Sequence, residues 1–154
     1  MLSKNDLVKE IFSRLSGKYQ INKIIDNDGY GEEMAYFLPE SLNELIYKEE
    51  LQIHYNDYDY QIHANKKYRY IFKNSNITKY FTAPENSLFH RLDFIDNSRA
   101  IGSHLCGSDE YNATYIFLNP DSFYLNYKIF GPQKNYNIIL ILFLIVYSIS
   151  MFSH

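Results

Sequence analysis

The stretch Gly102-Ser103-His104-Leu105-Cys106-Gly107-Ser108-Asp109-Glu110 brings a thiol, an imidazole and two carboxylates together beside glycines. A cysteine attacks as its thiolate, and a nearby histidine lowers the thiol pKa. In an extended chain His104 and Cys106 are two residues apart and share a face. A nucleophilic cysteine usually finds its histidine far away in sequence, however, and a lone cysteine behaves more often as a small buried residue. Cys106 and His104 are the candidate pair for one alternative, a cysteine-dependent hydrolase or transferase. The main expectation is a protein that is not an enzyme.

Two other groupings invite a metal. His54, Asp57, Asp59 and His63 lie close in sequence, but His54 and His63 would stand on opposite arms of a hairpin, and zinc needs three or four converging ligands. Asp26, Asp28 and Glu32 surround Gly29 without the twelve-residue spacing of a calcium loop. The six glycines form no phosphate-cradling motif. Neither a metal nor a cofactor is expected.

Residues 60–84 contain five basic side chains and no acidic one, interleaved with Tyr and Phe. Nucleic-acid surfaces use cations for phosphates and rings for stacking, so Lys66, Lys67, Arg69 and Lys73 are the candidate contacts. Their spacing argues otherwise. On a strand over 67–73 the cations Lys67, Arg69 and Lys73 share one face, while Tyr68, Tyr70 and Phe72 share the other. That pattern sends the rings to a core and the cations to water. Nucleic acid is not an expected partner.

These residues need elements to position them. Ser3 or Asn5 can cap a helix running to about Ser16, with Leu7, Ile11, Phe12 and Leu15 on one face. Ile21–Ile25 reads as a strand, followed by a strong turn signal over residues 26–31. Pro39 opens an expected second helix, with Leu42, Leu45, Ile46 and Leu51 inward and Glu40, Glu44, Glu49 and Glu50 outward. From Gln52 the texture becomes β, with expected strands over 52–55, 58–63, 67–73 and 77–82. Residues 87–95 fit a strand or a short helix, and 113–118 and 122–130 are strands around a turn at Asn119-Pro120-Asp121. The fold class expected is therefore α+β: two N-terminal helices and an antiparallel sheet, followed by one C-terminal hydrophobic helix.

That last element is the run Ile138 to Phe152, in which Ile, Leu, Phe and Val fill eleven of fifteen positions. No Asp, Glu, Lys or Arg occurs from Asn135 to His154. Twenty helical residues span roughly 30 Å, the hydrocarbon thickness of a bilayer. The eleven residues favour insertion by about 3–6 kcal/mol in sum. Ile138, Ile139, Leu140, Ile141, Leu142, Phe143, Leu144, Ile145, Val146, Ile149, Met151 and Phe152 are the expected lipid-facing residues of a single-pass tail anchor. Three other readings explain the same run: a buried core element, an oligomer core, or a frameshifted tail in an AT-rich gene. The chain divides on this basis into a cytosolic domain, 1–134, and a tail, 135–154, hinged at Gly131-Pro132-Gln133-Lys134.

Tyr and Phe total 27 of the 154 residues, an aromatic load that disfavours disorder. With one cysteine there is no intrachain disulfide. The net charge of −3 is uneven: residues 1–59 carry six basic and twelve acidic side chains. This acidic third is the expected contact surface for another, basic protein. The leading expectation is a membrane-anchored protein-binding domain acting as adaptor or inhibitor, with membrane lipid as second partner. The alternative is a soluble, cytoplasmic, acidic binding protein of anti-toxin immunity type, whose tail is core or accident.

Overall fold

Ser3 starts the first element, and its hydroxyl accepts the Asp6 amide at 3.1 Å. Such a cap satisfies one of the amides left unpaired at a helix start. The computed structural model describes residues 3–26, 29–54, 61–83 and 87–146. Helix α1 (Lys4–Arg14) is followed by ten strands: β1 (Gly17–Ile25), β2 (Gly29–Ser41), β3 (Glu44–His54), β4 (Gln61–Lys73), β5 (Asn76–Phe81), β6 (Leu88–Phe94), β7 (Arg99–Cys106), β8 (Asp109–Asn119), β9 (Ser122–Gly131) and β10 (Lys134–Val146). Each strand pairs antiparallel with its neighbours in sequence, and β1 also pairs with β10, so the sheet closes into a barrel. Closure removes the unpaired edges that an open sheet exposes.

The helix lies across one end of this barrel. Val8, Ile11 and Phe12 are buried, and the Phe12 ring sits 5.8 Å from Phe72 near the end of β4. Ser75 donates to the Asn5 side chain at 3.0 Å, and Tyr19 donates to the Leu15 carbonyl at 2.9 Å. The two-residue β4–β5 turn places Asn74 and Ser75 at positive φ (53° and 62°), the hand that matches strand twist in a tight hairpin. The opposite end carries the β7–β8 and β9–β10 turns.

Alternation of side chains decides what faces in. On β1, Tyr19, Ile21 and Lys23 are buried, whereas Gln20, Asn22 and Ile24 are exposed. Inside, Tyr19, Phe37, Tyr47, Tyr70 and Phe123 pack edge-on and tilted, with centroids 4.9–6.1 Å apart. Such geometries suit the aromatic quadrupole.

The architecture corrects several expectations. It is a ten-stranded antiparallel barrel with one short helix, not an α+β domain with two N-terminal helices. The first helix stands. The second, expected from Pro39, is the end of β2 and the whole of β3. Leu45, Tyr47 and Glu49 point inward at a period of two, and Leu42, expected on the inner face, is 95 % exposed in the turn. The apolar positions 42, 45 and 46 satisfied a helical period, but pairing on both flanks of β3 settles the strand. Residues 88–94 are a strand, and 99–106, left without an assigned element, are another.

The transmembrane helix is also corrected. No helix among the described residues is long and apolar enough to cross a membrane. From Lys134 to Val146 the tail is strand β10, paired with β9 and β1. Leu140 and Leu142 are buried in the barrel, while Phe143 and Ile145 lie outside. The single-pass anchor, the membrane location built on it and lipid-facing roles for residues 138–146 in a helix fall with it. The core-element reading of the run holds over these residues. Apolar side chains on both faces of one strand give the same hydropathy as a spanning helix. Ile149, Met151 and Phe152 lie outside the described residues. Gly131-Pro132-Gln133-Lys134 is the tight β9–β10 turn, with Lys134 paired to Gly131.

Candidate functional site

The barrel encloses a cavity of about 330 Å³. It is floored by Phe37, Phe123 and Leu142 and reaches Lys66, Cys106 and Tyr111 at the end away from α1. Its walls are mainly aromatic and aliphatic. Among the described residues, four buried Lys, Glu and His side chains interrupt the barrel interior: Lys23 on β1, Glu49 on β3, Lys79 on β5 and His90 on β6, each no more than 4 % exposed. Buried ionisable groups are costly unless paired, so each requires an account.

Glu49 accounts for Lys23. One carboxylate oxygen accepts from the Lys23 ammonium at 3.5 Å, and the other accepts the Tyr47 hydroxyl at 2.5 Å. Burial lowers the Lys23 pKa to about 8, opposed by the Glu49 charge. Burial drives the Tyr47 phenol well above its ordinary value, and the Glu49 charge adds to this, so the phenol stays a hydrogen-bond donor.

Lys79 is different. Its Nζ donates to the Tyr127 hydroxyl at 2.8 Å and lies 4.1 Å from the Tyr68 ring centre and 4.9 Å from that of Phe89. Among the described residues it makes no ion pair. Burial lowers its pKa to about 7, only partly offset by Glu49. Tyr127 continues into a polar chain: its hydroxyl is 3.3 Å from His90 Nε2 and 3.5 Å from the Tyr115 hydroxyl. Burial first, then the Lys79 charge, lower the His90 pKa to about 3, which leaves the imidazole neutral.

A local irregularity builds this corner. Opposite Lys79 and Tyr80, β6 presents His90 and Leu88, so Phe89 is an extra residue in the ladder. A bulge of this kind re-aims side chains, and here both Phe89 and His90 are buried. Gly102 on β7 is the matching feature. A Cβ there would stand 2.6 Å from the Arg91 carbonyl and 2.7 Å from His90 Nδ1. Only glycine admits so close an approach.

The residues singled out in the sequence are distributed around this cavity. His104 and Cys106 share the inner face of β7, as their spacing suggested, and both line the cavity. Cys106 is exposed at its mouth, and the His104 ring packs 5.1 Å from Phe89 and 5.6 Å from Phe81. Lys66 also lines the mouth. Lys67 and Lys73 are exposed on the outer face, and Arg69, on that face too, pairs with Glu44 at 3.1 Å. The metal candidates His54 and His63 lie in β3 and β4, but Asp57, Asp59 and Asp28 fall outside the described residues, among which no metal-holding cluster occurs.

Sequence reasoning missed Lys23, Glu49 and Lys79 as site residues. Two of them carried a signal. Lys23 follows Tyr19 and Ile21 at a period of two, and Lys79 sits between Ile77 and Phe81 in the same phase. A single lysine in the apolar phase of a strand marks a cation inside.

A family model described as "Family of unknown function (DUF6314)" matches residues 15–140, which covers the barrel up to the middle of β10. No curated protein matches the sequence. Among solved structures, the S-type phycobiliprotein lyase CPES from Guillardia theta has a TM-score of 0.62 at 8 % identity, covering 89 % of this chain and 92 % of that one. EF1p2_mFAP2b, solved bound to DFHBI, has a TM-score of 0.52 at 9 % identity, covering 89 % and 98 %. At such identities the likeness is one of fold.

Proposed function

The chain belongs to that family of unknown function, and for it we propose a binding role: the barrel takes a small, mostly apolar molecule into its interior cavity. The observation that carries this reading is the cavity itself. About 330 Å³ of space lies at the lower end of the range for small-molecule sites, which are typically apolar with a few placed polar groups. Lys23, Glu49 and Lys79 are such groups within walls of Tyr, Phe, Ile and Leu. A binding-type barrel whose tail is part of the core is nearer to the alternative drawn from the sequence than to the anchored adaptor. The likeness to a barrel solved with DFHBI in place supports the same direction.

The role is one of binding without turnover. Cys106 sits exposed at the mouth and Lys23, Glu49 and Tyr47 are committed to one another, so a retained and released ligand is the economical reading. The test is fluorescence titration with N-phenyl-1-naphthylamine, a neutral aromatic probe that brightens out of water. The wild-type chain should bind it saturably, at one site, and release it chemically unchanged. Leu140→Trp, which fills the cavity from β10, should abolish binding while the far-ultraviolet circular dichroism is kept. Equal binding by a folded Leu140→Trp variant would refute an interior site.

A further inference from the structure

The described residues that line the cavity do not balance in charge. They include three lysines, Lys23, Lys66 and Lys79, and one carboxylate, Glu49. That carboxylate is already committed, one oxygen to Lys23 and the other to Tyr47. Lys79, 3 % exposed, has the Tyr127 hydroxyl and ring faces about its ammonium among the described residues. Rings attract a cation through their quadrupole, but they bring no net negative charge. Among the described residues such an ammonium has no anion in contact, Glu49 acting on it only from a distance, and the cavity beside it has room for one.

We propose that the ligand of this cavity carries an acidic group of the carboxylate or sulfonate class, seated against Lys79 Nζ, with the aromatic walls holding its apolar body. The inference rests on the ligand-binding reading and specifies the chemistry of the ligand. Tyr127 supports the seat. Its oxygen accepts from Lys79, which fixes the ammonium on the β9 side of the cavity. Its neighbours His90 and Tyr115 offer the hydroxyl partners of its own, so the lysine is held through a neutral hydrogen-bond partner. The bulge at Phe89 closes the corner from water, and exclusion of water strengthens a charge-assisted hydrogen bond.

The experiment compares two probes with one ring system at pH 6: 1-anilinonaphthalene-8-sulfonate, which is anionic, and N-phenyl-1-naphthylamine, which is not. A hydrogen-bonded charge contact corresponds to about tenfold to a hundredfold in affinity. The wild-type chain should therefore prefer the sulfonate by about tenfold or more. Lys79→Met should remove that preference and leave the neutral probe within about twofold. Lys67→Met, on the exposed outer face, should keep the wild-type ratio. Equal affinities in the wild-type chain, which need no variant to read, would overturn the proposal. So would a preference that survives Lys79→Met or is lost in Lys67→Met. If neither probe binds, the ligand-binding reading fails as well, whereas binding of the neutral probe alone overturns only the acidic group.

Discussion

Replacing Lys79 by methionine should stabilise the empty barrel, and the gain should depend on pH in a defined way. The Lys79 pKa falls from 10.5 to about 7 through burial. Between those values the unfolded chain binds a proton that the folded chain does not, so stability rises with pH across the window. Below about pH 7 both states are protonated, and the cost of the buried charge is complete and constant. The gap corresponds to about 5 kcal/mol at its fullest. Methionine is close to lysine in volume and suits an aromatic cage. Lys79→Met should therefore be more stable than the wild-type chain by about 3–5 kcal/mol at pH 6, narrowing to within about 1 kcal/mol near pH 10.5. Urea denaturation of both chains at pH 6, 8 and 10 measures this, and the difference between them cancels the titration of every other group. If Lys79→Met is destabilised at pH 6, or the difference does not change with pH, then Lys79 is satisfied in the folded chain and the argument from its isolation is refuted. A variant that gains stability while losing the anionic probe would show a residue kept for binding at the expense of the fold.

Glu49→Gln should be costly, because it leaves Lys23 buried without its carboxylate: about 3–5 kcal/mol at pH 6 by denaturant titration, with the cost shrinking as pH rises toward 8, because the unpaired amine loses its proton at a lower pH than the paired one, and levelling off above that. Gly102→Ala should push β7 away from β6 against the Arg91 carbonyl, costing about 1–3 kcal/mol and speeding amide hydrogen exchange at Ile101 and Phe94. Removal of residues 135–154 should abolish the cooperative fold, since β10 supplies partners for both β1 and β9; a monomeric, two-state 1–134 chain in size-exclusion chromatography and thermal melts would contradict closure by β10.

Local chemistry was legible wherever one segment settled its own state. The cap at Ser3, the apolar face of α1, the hairpin around Pro120-Asp121 and the in-out alternation of Lys67 to Lys73 all depend on neighbours in sequence, and all appear in the structure. His104 and Cys106 share a strand face for the same reason. The misreadings occur where a pattern served two periods. Leu42, Leu45 and Ile46 match one helical face as well as a strand and its turn, and only pairing with β2 and β4 chooses between them. Glu49 was placed outward by the helical reading and is buried by the strand one.

The sequence by itself determined that the chain carries a large aromatic core, that most of its strands form antiparallel hairpins, and that the run from residue 138 to 146 must take much of its apolar surface out of water. Hydropathy measures that departure from water and is indifferent to what replaces it, lipid or protein. The tertiary structure decided the replacement: β10 pairs Ile21 with Leu142 on one side and Leu140 with Leu125 on the other, and the run becomes the last stave of a barrel. It also decided the site. Lys23, Glu49 and Lys79 are 26 and 30 residues apart along the chain, and no local rule relates them. They meet because closure turns one face of every strand toward a common interior, where a charge that would be unremarkable on a surface becomes costly, directional and available to a ligand.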